Sequence, residues 1–100
     1  MRIHFERSGG FTGMRVSGTI NTESLPAQEA RILHEMIETA DFFELPEQSE
    51  RLSAAPDAFQ YRLVVEDGGR RHVIETTDAA APDTLRPLLR KLTMLARSQG

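Results

Sequence analysis

The run Phe5-Glu6-Arg7-Ser8-Gly9-Gly10-Phe11-Thr12-Gly13-Met14-Arg15-Val16 constrains the fold more than any other part of this chain. Apolar and polar residues alternate on both sides of a glycine-rich centre. That period of two is the pattern of strands with one buried face. Glycines at the centre supply the positive φ that a hairpin needs, because they have no Cβ to clash. The chain is therefore committed to an antiparallel hairpin early. The turn does not need the large apolar side chain of Phe11 at its tip, so that side chain requires a separate account.

The rest of the sequence repeats the theme. Ile3 and Phe5 alternate with Arg2, His4 and Glu6, and Met14, Val16 and Ile20 continue on the return strand. Gly18 lies in register there and points to a bulge or a close backbone approach. Asn21-Thr22-Glu23-Ser24 is a helix-start cluster, with Pro26 expected inside the first turn. Ala30, Leu33, Met36, Ile37 and Ala40 then recur at helical spacing, and the helix is expected to end near Asp41 before Pro46. Phe42, Phe43 and Leu45 form an apolar knot expected to cap one end of the core. Phe59, Tyr61, Leu63 and Val65 begin a second hairpin that turns at Asp67-Gly68-Gly69-Arg70 and returns through Arg71–Thr77. A second helix follows, with Asp83 or Thr84 as its cap, Pro87 in its first turn and a stripe of Leu85, Leu88, Leu89, Leu92 and Leu95.

The expected fold is α+β. Two antiparallel β-hairpins and two main helices run in the order ββα-loop-ββα, with the helices on one side of the sheet. Residues 1–100 form one domain, with an exposed, mobile loop at about 47–58. The two ββα units are open to an internal duplication or to convergent turn chemistry.

Composition excludes several functions. The chain has 12 Lys and Arg against 15 Asp and Glu, a formal net charge of −3, and no basic stripe of the kind that binds nucleic acid. It has no cysteine, so neither a disulfide framework nor a thiolate site can be built. No segment approaches the roughly 20 apolar residues of a membrane span. Met1–Glu6 lacks the apolar run of a secretory signal, so the expectation is a cytoplasmic protein without nucleic-acid or membrane partners.

Catalytic chemistry is sparse. His34-Glu35-Met36-Ile37-Glu38 echoes the helical zinc motif, but Glu38 stands where that motif has its second His. A charged outer helix face accounts for these residues better, and His4 and His72 have no evident route to them. There is no nucleophile elbow or phosphate-binding glycine loop. No catalytic, cofactor or metal site is assigned, and a binding module is expected rather than an enzyme.

For Phe11 two readings stand side by side: a lid folded back over the sheet, or an exposed anchor for a partner. Arg7 and Arg15 flank the turn. The simpler reading makes them a solvated cross-strand pair; the other makes them a fork for a partner's carboxylates.

The stretch Ile3–Arg15 with its Arg7-Ser8-Gly9-Gly10-Phe11 centre resembles the emfourin family. So do Ser24-Leu25-Pro26, Ala40–Pro46, Phe59–Asp67 and Asp83–Leu88, in the same order. The segment Glu47–Asp57 takes no part in the resemblance. Emfourins are small bacterial proteins associated with protealysin-like enzymes, which are thermolysin-type zinc metallopeptidases. The resemblance implies a proteinaceous inhibitor of such a peptidase with an α+β fold. The expected action is occlusion of the active-site cleft, by a protein with no cofactor of its own that is monomeric when free. The hairpin loop Ser8, Gly9, Gly10, Phe11, Thr12 and Gly13, with Arg7 and Arg15 beside it, suits that task. No Glu or His is singled out to capture the enzyme's zinc. The alternative is a non-inhibitory adaptor or chaperone-like module. A zinc hydrolase using His34, Glu35 and Glu38 is a distant third.

Overall fold

The structure, a computed structural model, describes residues 1–9, 15–45, 59–77 and 81–99. Four strands, β1 (Arg2–Gly9), β2 (Val16–Asn21), β3 (Phe59–Asp67) and β4 (Arg70–Thr77), form one antiparallel sheet in the order β2-β1-β3-β4. The two expected hairpins are thus joined through their first strands, β1 pairing with β3 from Arg2↔Glu66 to Gly9↔Phe59. Two helices complete the fold, α1 (Ala27–Thr39) and α2 (Arg86–Gln99).

Register explains the core. Residues opposite one another across an antiparallel pair share a face. Ile20, Ile3 and Val65 form one row, and Phe5, Leu63 and Ile74 the next. All six are buried, and with Leu33 and Ile37 of α1 and Leu88, Leu89, Leu92 and Ala96 of α2 they make a single hydrophobic cluster. Each fully buried Leu or Ile contributes about 2 kcal/mol of transfer free energy. Both helices therefore cover one face of the sheet, as the sequence pattern implies. α2 runs against β2 and β1. Lys91 reaches back from α2 to Glu29 of α1 at 3.0 Å.

Gly18 introduces no bulge, because the β1–β2 register runs unbroken through Phe5↔Gly18. Gly18 stands opposite Phe5 on the face that the helices cover.

The helix starts differ from expectation for a reason that lies in proline. Asn21 does cap, its Oδ1 accepting from Glu23 N at 3.0 Å, but what it caps is a 3-10 turn over Thr22–Ser24. Leu25, as the residue before Pro26, is held extended at φ −94°, ψ 157°. The α-helix can restart only beyond it, so Pro26 becomes the N-cap rather than a first-turn residue. At the other end α1 stops at Thr39, and Asp41 adopts the left-handed conformation at φ 51°. The start of α2 is likewise displaced. Pro82 accepts from the backbone N–H of Leu85 and Arg86, and the helix begins at Arg86, after both expected caps, with Pro87 in its first turn.

The aromatic knot sits where the pattern puts it. Phe42 is buried, meets Phe43 edge-on at 5.6 Å and meets His72 of β4 edge-on at 5.5 Å. His72 Nε2 donates to the Leu45 carbonyl at 2.7 Å, fixing the chain after α1 against the sheet.

Candidate functional site

The end of the sheet opposite that knot is where the chain leaves its regular structure. β1 ends there at Gly9, β2 begins at Val16, β3 begins at Phe59 and β4 ends at Thr77. Antiparallel pairing brings these four strand ends together. At this end Ala81 N donates to Thr77 O at 3.0 Å.

Of the residues singled out from the sequence, Arg7, Ser8, Gly9 and Arg15 are described. Gly10, Phe11, Thr12 and Gly13 lie outside the described residues, as does the loop expected to be mobile at about 47–58. Gly9 holds φ +96°, the positive value for which the turn selects glycine.

The two arginines do not form a solvated cross-strand pair. Arg7 lies directly opposite Val16, in the row below Phe5 on the helix-covered side, and its Nε is shielded with no hydrogen-bond partner. Its guanidinium sits over the ring of Phe59, 4.2 Å from the centroid. Gly9, the cross-strand partner of Phe59, has no side chain to occupy that space. A shielded donor without a partner costs about 1–3 kcal/mol, and a partly shielded cation over a ring returns about 0.5–2 kcal/mol of it. Arg7 is therefore a brace tying β1 to β3 beneath the hairpin.

Arg15 is exposed. It lines, with Glu6, Ser8, Gln60, Arg62 and Glu75, a shallow cleft of about 140 Å³ on the outward side of the sheet. Arg7 and Arg15 thus serve opposite sides, and a two-arginine fork is not available.

The contact of Arg7 with Phe59 was not legible in sequence. It depends on the pairing of β1 with β3, two segments fifty residues apart. The only trace is an arginine at an inward-facing position of an otherwise apolar alternation, Ile3-Phe5-Arg7.

The histidine–glutamate run on α1 is dispersed: His34 is half-buried, while Glu35 and Glu38 are exposed. Among the described residues no group of three or more His, Asp or Glu side chains is placed to hold a metal ion. Among them, too, no helix is long and apolar enough to cross a membrane.

The chain matches the Emfourin family model over residues 5–93, from within β1 to within α2. No curated protein and no solved structure matches it.

Proposed function

Because the chain belongs to the emfourin family, we propose that it is a proteinaceous inhibitor of a thermolysin-type zinc metallopeptidase of the protealysin kind, and not itself an enzyme. The observation that carries this reading is the family match across residues 5–93, which takes in the first hairpin from Phe5 onward with its Arg-Ser-Gly-Gly-Phe centre.

The mechanism we infer is occlusion of the active-site cleft by the hairpin loop, Ser8 to Gly13. A substrate-like segment held at both ends by paired strands loses less conformational freedom on binding than a free peptide does. The same tethering keeps its backbone from settling into the geometry of attack. Phe11 supplies the large apolar side chain such enzymes accept, and Arg15 supplies a charge beside it for carboxylates on the peptidase surface. Arg7 acts from behind, through Phe59, by holding the base of the loop in one shape. The inhibitor brings no metal or cofactor to the complex.

Titration of a thermolysin-type peptidase with the purified protein tests this directly. Wild-type protein should inhibit, and Phe11→Ala should weaken inhibition by about 30-fold, the loss of a central anchor worth about 2 kcal/mol. Unchanged inhibition by a folded Phe11→Ala protein would remove Phe11 from the mechanism. Capture of the peptidase without loss of its activity would make the chain an adaptor instead.

A further inference from the structure

The helices cover one face of the sheet; the other is open, and its side chains are ordered by charge. On β1, β3 and β4 the register places Arg2, Glu66 and Arg71 in one row and Glu6, Arg62 and Glu75 in a second. Reading across the strands, the signs run plus, minus, plus in the first row and minus, plus, minus in the second. Between the two rows lie His4, Val64 and Val73. Val64 is only 2% exposed although it stands apart from the main hydrophobic cluster, so this face has a small apolar centre of its own. Among the described residues, the ion pair this face makes within the chain is His4 with Glu66 at 3.4 Å.

From this pattern we propose that the open face is a self-association surface whose partner is a second copy of the chain. Consider a two-fold axis lying in the interface along the middle row. It sets each strand over its own copy running the other way and exchanges the outer rows. Arg2 then meets Glu6 of the second copy, Glu66 meets Arg62, and Arg71 meets Glu75, so all six charges are matched and each contact occurs twice. Val73 and His4 each meet their own counterparts, while Val64 lies beneath its neighbours in its own chain. On β2 the axis exchanges Asn21 with Ser17, both neutral. A two-fold axis parallel to the strands is poorer: it sets Arg71 and Glu75 against these neutral residues and the valines against His4 and Thr19.

Distances suit the arrangement. The two charged rows are four residues apart along each strand, about 13 Å, and sheets stack face to face at about 10 Å, within reach of Arg and Glu side chains. At about 4.8 Å between strands and about 13 Å between the charged rows the patch is roughly 20 Å by 13 Å, below a standard interface of about 800 Å² per partner, so the dimer is weak. Its charges are exposed, so it loosens as salt screens them. The monomer expected from the sequence is the dilute state. In the dimer the strand ends at Gly9 and Phe59 of the two copies point in opposite directions. The proposal does not depend on what the hairpin loop binds.

Charge reversal with complementation tests it. Molar mass from light scattering or sedimentation, measured from micromolar to near-millimolar protein, should rise from monomer toward dimer, and less so at high salt. Glu66→Arg places like charges opposite Arg62 of the second copy, and Arg62→Glu does the same against Glu66. Each should weaken association by about tenfold or more. An equimolar mixture of the two variants restores both contacts and should associate as well as the wild type. If either variant melts early, Arg71→Glu and Glu75→Arg form a second complementary pair. Wild-type protein that stays monomeric throughout would overturn the proposal, as would single variants that associate normally or a mixture that associates no better than its components.

Discussion

The molecule contains two hairpins, and they solve the same geometric problem at very different cost. β3 and β4 are joined by Gly68 and Gly69 alone, at φ +56° and +89°, the pair of positive values that lets a two-residue turn follow the twist of its strands. β1 and β2, also paired antiparallel, are separated by the six residues from Gly10 to Arg15. Two glycines suffice to reverse a chain. The first hairpin has three, yet it also carries a phenylalanine, a threonine and an arginine that the turn has no use for. The second turn is folding chemistry alone, whereas on the proposed function the first also carries sequence for a partner.

The strongest way to break this contrast is to make the first hairpin like the second. Replacing residues 9–14 with Asn-Gly joins Ser8 to Arg15 through a two-residue turn. If the loop exists for a partner, the variant should fold and melt close to the wild type but lose inhibition by more than about 1,000-fold, over 4 kcal/mol. Retained inhibition would move the recognition surface elsewhere. The converse experiment is Phe42→Ala, at the end of the sheet near the tight turn. Phe42 is buried against Phe43 and His72, so its removal leaves a cavity and should cost about 3–5 kcal/mol in thermal or denaturant unfolding. The inhibition constant of the fraction still folded should not change.

The same contrast explains what could be read from the sequence. Both hairpins, the apolar faces of both helices and the aromatic knot were legible, because each follows from a local period or a local turn residue. The helix starts lie a few residues beyond the capping signals: Asn21 caps only a 3-10 turn because Pro26 holds Leu25 extended, and α2 begins at Arg86, past Asp83 and Thr84. The order β2-β1-β3-β4 was not legible, since β1 meets β3 through contacts no local pattern encodes. The role of Arg7 went with it. An arginine beside a glycine turn looks solvated until the strand carrying Phe59 is laid next to it.

Smaller substitutions sharpen what holds the tight turn. Gly69→Ala places a Cβ in open space, with nothing within 4 Å, so no contact penalises it. Its cost is the backbone strain of a positive φ alone, about 1–2 kcal/mol in unfolding free energy. A neutral Gly69→Ala would show that the hairpin relaxes into another turn, and the economy attributed to its glycines would be lost.

The smallest expected effect concerns the ion pair that closes the turn, Asp67 with Arg70 at 3.6 Å. Arg70 is well exposed, and such a pair contributes little once solvent screening and side-chain entropy are counted. Arg70 also has a second attachment, its guanidinium lying 4.2 Å from the centroid of the Phe43 ring, which survives loss of the carboxylate. Asp67→Asn should therefore cost less than about 0.5 kcal/mol, and the difference should shrink further at high salt. Measured beside Gly69→Ala, it separates the two candidate sources of turn stability. If Asp67→Asn proves the costlier of the two, the turn is held by charge rather than by backbone conformation. A six-residue excursion in the first hairpin could then be a substitute for a missing ion pair instead of a surface kept for a partner.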